Sequence, residues 1–426
     1  MIGLKTNYLL IYLIVVMNVL QINIVSANGK PPLAFASKLT SSYLYDSNIH
    51  RSHSGQISDN IVEMSPEVQF SARNKTASFR TKYDGTYTRY VNNALSDYLN
   101  TNLTVDAETN QEKSVSLNSK ILYKTENESR GNVDISDEIT NIQYATHAEY
   151  LVLGIKLQNS EKDTKLEGRI STIERRYNET DLEKLNSDYR SYRLKLSYRL
   201  TSRSDLFFAG ERATYKYLRS EPASSENLES KYFFGGNWKI SGKTSGIAEI
   251  GIQSKDLAAS KSSKFTSIYT RMKMNWIKSS KSQFSLILKR QANDNPSGNG
   301  NYAVVNSLEV NWMQKFSHNF YTKTVTKSSV IRSTDEFENK SIQFEILPSL
   351  TYKITSKLDL NSNIAYKSNN TPISESKFYQ LDFGIRYRIN RLMETFVTTL
   401  WENRNSTQNS LNYSLMVTSF SFKLKY

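Results

Sequence analysis

The sequence predicts an all-β protein: a transmembrane, antiparallel, up-and-down β-barrel of about 20 strands, with short turns at one end and long loops at the other. Three observations predict it. A hydrophobic period of two runs along most of the chain, the connections alternate between short and long, and the composition is rich in Tyr but lacks long apolar runs.

Composition comes first, because it removes several classes. Only 38% of the 426 residues are hydrophobic, with 27 Tyr, 18 Phe and 4 Trp, and the mean hydropathy is −0.55. That balance gives a soluble core too little Leu, Ile and Val. The absence of cysteine excludes disulfides, thiolate metal sites, a thiol nucleophile and a lipid-modified N-terminal Cys. The net charge is +14, but Lys and Arg are spread singly through alternating segments and form no blocks. A nucleic-acid partner is therefore not expected.

Residues 1–27, "MIGLKTNYLLIYLIVVMNVLQINIVSA", carry one early lysine, an apolar run from Tyr8 to Leu20 and small or branched residues at Val25-Ser26-Ala27. This is the pattern of an export signal peptide, leaving 28–426 as the barrel domain. The other reading, a membrane anchor, asks for a longer run. No later segment approaches the roughly 18 apolar residues of a membrane helix, so insertion must be through strands.

Alternation then marks the strands. In "YRSYRLKLSYRL", Tyr192, Leu194, Leu196, Tyr198 and Leu200 share one face, while Arg193, Lys195, Ser197 and Arg199 share the other. "YQLDFGIRYRI" sets Tyr379, Leu381, Phe383, Ile385 and Tyr387 against Asp382, Arg386 and Arg388. "FTSIYTRMKMNW" sets Ile268, Met272, Met274 and Trp276 against Tyr269, Arg271, Lys273 and Asn275.

Connections sort by length. Short ones fall at 73–75, 201–204, 241–243, 278–282, 316–318, 355–357 and 390–391, with less clear ones near 109–112 and 159–163. Longer polar stretches fall between them, at 46–60, 91–97, 124–140, 177–187, 218–228, 256–263, 295–301, 331–340, 369–376 and 404–410. A sandwich or propeller has no reason to place every short turn on one side, whereas an outer-membrane barrel does, with strands of about ten residues. Nine short-turn hairpins plus a first strand near 35–45 and a last near 411–426 give 20 strands, within 18–22. Interface girdles then account for the aromatic residues, with Tyr83, Tyr87, Tyr90, Trp238, Trp276, Trp312 and Trp401 as candidates.

No catalytic, cofactor-binding or metal-binding set is found, and an enzyme is not expected. The histidines are His50, His53, His147 and His318; His50-x-x-His53 lacks supporting ligands. No serine sits in a Gly-x-Ser-x-Gly turn, and no Gly-rich phosphate loop is present. What remains is the polar face. Arg193, Lys195, Arg199, Arg271, Lys273, Arg386 and Arg388 are the lumen-facing candidates, joined by Lys423 and Lys425, with Glu249 and Asp382 as lumen carboxylates. Two readings stay open: a charged lining that favours anionic or polar chains, or a lining that is merely hydrophilic and internally neutralised. Sugar stacking on Tyr269 is a further option.

The stretch from Tyr45 to Tyr90 resembles the opening of the putative β-barrel porin type 2 family, at Tyr45, Asp46, Asn48, Ile49, Ser58, Asp59, Pro66, Tyr83, Tyr87 and Tyr90. "SRSDLFFAGERATYKY" and the region from Trp238 to Trp276 resemble its middle strands. Locally, Asp46 and Asn48 are expected to turn the chain into the first loop by side-chain to backbone hydrogen bonds. The resemblance implies a Gram-negative outer-membrane channel taking part in export of exopolysaccharide or capsular polysaccharide, with periplasmic export components as partners. A general diffusion porin, or a structural or adhesive barrel acting through its external loops, is the alternative.

The chain ends "TSFSFKLKY". Phe420, Phe422, Leu424 and Tyr426 are expected to face lipid in the strand that closes the barrel, because lipid offers no partner for a free edge. Outer-membrane lipid and the barrel assembly machinery, which reads such terminal strands, are the expected partners.

Overall fold

The computed structural model describes residues 33–426 apart from 75, 110–113, 128–144, 160–162, 179–185, 219–225, 258–263, 295–301, 334–339 and 373. The expected signal peptide lies outside the described residues, as do most of the stretches expected to be long loops. No described helix is long and apolar enough to cross a membrane.

Twenty strands form one antiparallel sheet. They are β1 (Ala34–Asp46), β2 (Asp59–Arg73), β3 (Ala77–Tyr90), β4 (Tyr98–Thr109), β5 (Val115–Asn127), β6 (Ala145–Asn159) and β7 (Thr164–Tyr177). There follow β8 (Ser187–Thr201), β9 (Ser204–Tyr217), β10 (Glu226–Ser241), β11 (Thr244–Leu257), β12 (Lys264–Ser279), β13 (Ser282–Asp294) and β14 (Tyr302–Lys315). The last are β15 (Phe320–Ser333), β16 (Lys340–Lys353), β17 (Leu358–Asn370), β18 (Glu375–Arg388), β19 (Met393–Ser406) and β20 (Tyr413–Lys425). Each strand pairs with its chain neighbour, and β20 pairs with β1 from Lys425 opposite Lys38 to Val417 opposite Asp46. The sheet is thereby a closed ring with no free edge, which is what a strand structure in lipid requires.

Seven of the short turns share one local chemistry among the described residues. A Ser, Thr or Asn at the turn entrance accepts a backbone N–H two residues on, doing locally what a longer loop would otherwise have to do. Thr201 accepts from Arg203 at 3.1 Å, Ser241 from Lys243 at 3.1 Å and Ser279 from Lys281 at 3.2 Å. Asn74, Ser317, Thr355 and Asn390 each accept two such N–H groups, from Thr76 and Ala77, Asn319 and Phe320, Lys357 and Leu358, and Leu392 and Met393.

Two sequence expectations are corrected. The stretch 369–376 is not a long loop: β17 ends at Asn370 and β18 begins at Glu375. The connection 371–374 is as short as those at 316–319, 354–357 and 389–392. Its flanks read as loop because they are polar, yet Asn369 pairs with Ser376 and Asn370 with Glu375. The strands are also longer than ten residues, at 12 to 16. Both corrections have one cause: hydrogen-bonded pairing continues beyond the apolar band, where the side chains turn polar.

The two faces separate cleanly. Tyr192, Leu194, Leu196 and Tyr198 are each more than half exposed on the outside, and Phe234, Ile250 and Ile268 continue that surface onto β10, β11 and β12. Burial occurs on the inside instead, where Phe207, Ala209, Phe233 and Tyr269 cluster with Ile247. A soluble sheet would show the reverse distribution.

The pairing of β12 with β13 stops short of the strands' full length. β12 and β13 pair only from Ser279–Ser282 up to Thr270–Arg290; beyond that, β12 stays with β11, and 291–294 stays with β14. Gln253 of β11 captures the departing strand, accepting from the Ala292 N–H at 2.9 Å and donating to the Ala292 carbonyl at 2.7 Å. Ala292 and Tyr302 continue the register of the outward-facing Leu286 and Leu288, yet both are buried, and Tyr302 stacks on Phe265 of β12 at 5.6 Å. The far end of the β13–β14 hairpin is thus drawn inside the ring, with its outer face against the inner face of β11 and β12.

Candidate functional site

The inner face is the candidate site, since alternation along each strand delivers its polar side chains there. Contacts between non-adjacent strands identify it as the inside. The Lys255 Nζ of β11 lies 5.6 Å from the Tyr302 ring of β14 and 5.5 Å from the Tyr215 ring of β9, which only the concave side of a ring allows.

The seven cations expected in the lumen fall into two patches, with one residue apart. In the first patch, the Arg193 guanidinium stands 5.2 Å from the Phe233 ring and Lys195 4.3 Å from that of Phe207. Lys195 also pairs with Glu167 at 3.4 Å, and Arg271 lies 3.8 Å from Glu249. Lys273 is flanked in register by Ile247 and Ile287. Arg386 and Arg388 belong to the second patch, on β18, where both contact Asp359. Arg199 stands apart at the turn end of β8, largely exposed and 3.4 Å from Asp163.

Several side chains depart from expectation. Tyr269 is buried, and its hydroxyl donates to Glu249 at 2.8 Å, so its ring is packing material and offers no open stacking face. Glu249 is buried with it, while Asp382 accepts from Asn363 at 2.9 Å. Neutralisation inside the wall is extensive: Lys255 and Glu229, both buried, pair at 3.1 Å. Of the expected girdle, Trp276 and Trp312 stack along the short-turn end on either side of Phe284, at 5.6 and 6.1 Å. Trp238 lies so close over Gly246 that a Cβ there would stand 2.3 Å from its ring. Tyr87 is exposed on the outer face beside Met64, but Tyr90 is opposite the buried Ile61 and belongs inside. Trp401, exposed on the outer face, pairs with Leu381 and is followed on that face by Asn403 and Asn405.

Asp46, Asn48, Ile49 and Asp59 are all buried. The Asn48 N–H donates to Asp46 at 2.8 Å, forming the expected turn, and its side-chain amide donates to the Ser414 carbonyl at 3.3 Å, tying the first loop to β20. Asp59 accepts from Asn60, Asn92 and Asn93, joining the first loop to the second. In the last strand Phe420, Leu424 and Tyr426 are exposed on the outer face, with Phe422 half-buried between them.

Sequence reasoning missed Asp359, Glu394, Gln253 and the inward aromatics. The last did leave a signal: the doublets Phe207-Phe208 and Phe233-Phe234 break the alternation, and in each the first ring is buried inside while the second is exposed outside. Among the described residues no three His, Cys, Asp or Glu gather as metal ligands.

A closed ring of 20 antiparallel strands, apolar outside and polar inside, defines an outer-membrane-type β-barrel. The model of the putative β-barrel porin 2 family matches residues 34–378, well over half of the chain, and the chain belongs to that family. Among solved structures, the FrpB iron transporter (F3-3 variant) from Neisseria meningitidis is similar, at TM-score 0.54 and 8% identity, covering 96% of this chain and 83% of that one. The siderophore receptor PirA from Pseudomonas aeruginosa gives TM-score 0.53 at 10% identity, covering 93% and 81%. The copper transporter OprC gives 0.55 at 9%, covering 92% and 80%. At such identities the likeness shows the fold. No curated protein matches the sequence.

Proposed function

We propose that this porin-like barrel is a channel of the Gram-negative outer membrane taking part in export of exopolysaccharide or capsular polysaccharide. The observation that carries the channel reading is the inner wall, where cations and carboxylates line a ring of 20 strands. Barrels of 16 to 18 strands already enclose an aqueous channel. The polysaccharide reading rests on the family resemblance of the first loop and middle strands. In it, residues 1–27 direct export and are removed, the assembly machinery reads β20, and periplasmic export components deliver the chain to the end with the short turns.

Deleting the gene and quantifying surface polysaccharide tests the export role. Loss of polymer from the surface, with accumulation in the periplasm, is expected. Unchanged surface polymer would instead support the alternative, a general diffusion porin or a structural or adhesive barrel. That alternative has one observation in its favour: the first loop is tied to β20 and to the second loop by buried Asn48 and Asp59, which makes a rigid external surface.

A further inference from the structure

At the short-turn end, the inner faces of β17 to β20 assemble four cations on two carboxylates. Asp359 accepts from Arg386 Nε at 2.9 Å and from Arg388 Nη1 at 3.4 Å. Glu394 takes Lys425 at 2.6 Å and has Lys423 and Arg388 Nε each at 3.9 Å. The register makes this arrangement: Asp359 is opposite Arg386, Arg388 opposite Glu394, and Glu394 opposite Lys423. Depth separates the two signs. The Asp359 and Glu394 side chains are 0% and 8% exposed, against 28% and 29% for Arg386 and Arg388 and 24% and 41% for Lys423 and Lys425.

A structural ion-pair network would match its charges. Here each carboxylate is shared by two or three cations and lies beneath them, so it orients the cations while offsetting only half of their charge. The patch keeps two formal positive charges, presented toward the interior. Beyond the seam, Lys38 lies opposite Lys425 in register, but Lys38 and Lys82 are balanced by Glu67 and Asp84, so the excess resides on β18 and β20. The cations reach from β18 to β20, about 10 Å at roughly 4.8 Å per strand spacing. A single phosphate or carboxylate cannot touch both sides; a chain bearing repeated negative charges can.

We propose that this patch is a docking site for an anionic polysaccharide, one carrying a carboxylate on successive sugars, at the short-turn mouth of the barrel. Its place at that end makes it an entry site for a chain arriving from the periplasm, and in that respect it deepens the channel reading and rests on it. Phe396, opposite Arg386 in register and 4.5 Å from Lys423 Nζ, supplies an apolar ring within the same patch.

The test is calorimetric binding of a defined oligogalacturonate to the full-length protein in detergent micelles, with neutral maltooligosaccharide and monomeric galacturonate as controls. The oligogalacturonate binds and both controls fail. Lys423→Gln with Lys425→Gln weakens binding by about tenfold or more, and Glu394→Gln, which removes a negative charge and keeps the shape, tightens it. Because Glu394 is buried under its lysines, the folded β signal by circular dichroism is followed in every variant, and Lys423→Arg with Lys425→Arg restores binding where the Gln pair has lost it. Equal binding of neutral and acidic chains, or an unchanged affinity in the folded Gln pair, overturns the proposal. Binding that persists in a protein that passes no ions would sink the channel reading and leave the docking site standing.

Discussion

Tyr426 and Ser37 exchange both backbone hydrogen bonds, each at 2.8 Å, so the last residue of the chain locks onto the foot of the first strand. Further up the seam, Ser421 donates to Ser42 at 2.8 Å and the Ser47 N–H donates to the Met416 carbonyl at 3.0 Å. Deleting Tyr426 unpairs Ser37 at an edge that lipid cannot satisfy. Outer-membrane fractions should contain markedly less folded barrel for the deletion and for Tyr426→Asp, measured by immunoblot of the membrane; wild-type levels in both would contradict the role given to the seam.

The separation of faces predicts opposite outcomes at adjacent positions. Leu194 is 58% exposed on the outside, and Leu194→Arg should cost about 2–4 kcal/mol of barrel stability if it sits near the bilayer midplane. Lys195→Leu, one residue away on the inside, should cost far less despite the same loss of chemical character. Urea unfolding in lipid vesicles measures both, and equal costs would mean that the faces are assigned wrongly.

Gln253 holds the far end of β13–β14 inside the ring through its pair of bonds to Ala292. Gln253→Leu leaves two buried backbone groups unpaired, at about 1–3 kcal/mol each, and should release that end. The protein has no cysteine of its own, so Val304→Cys, on the face that Ala292 and Tyr302 turn toward β11 and β12 and only 9% exposed, is a clean reporter. Maleimide should label it slowly in the parent and quickly with Gln253→Leu added. Equal rates would show that Gln253 is not the tether.

Asp59 gathers four donors, from the Asn60 and Asn92 backbone and the Asn92 and Asn93 side chains, at 2.7 to 3.1 Å. Asp59→Ala should loosen both 47–58 and 91–97. Limited proteolysis of intact cells should then cut in these segments at least several-fold faster, while the strands stay resistant. An unchanged digestion pattern would remove Asp59 as the link.

How far the fold was legible depended on whether a signal was local. Alternation fixed which residues face outward, as at Tyr192 to Leu200, and the short connections between alternating runs placed the hairpins. Strand ends were hidden because Asn369 and Asn370 look like loop residues but pair like strand residues. The inner patches were hidden for a different reason. That Asp359 serves both Arg386 and Arg388, or that Gln253 meets Ala292, depends on register between strands and on where the pairing of β12 with β13 stops, which the pattern within a single strand does not carry. The inward Phe207 and Phe233 were visible as broken alternation, but only the closed ring gives that break a meaning.

The central claim is that the polar inner wall encloses a continuous path for ions and chains. Single-channel recording of the purified protein in a planar lipid bilayer tests it most directly. Stable stepwise conductance is predicted, rising when Gln253→Leu frees the β13–β14 end. No conductance in either protein, with folded barrel verified in the same bilayers, would contradict the account.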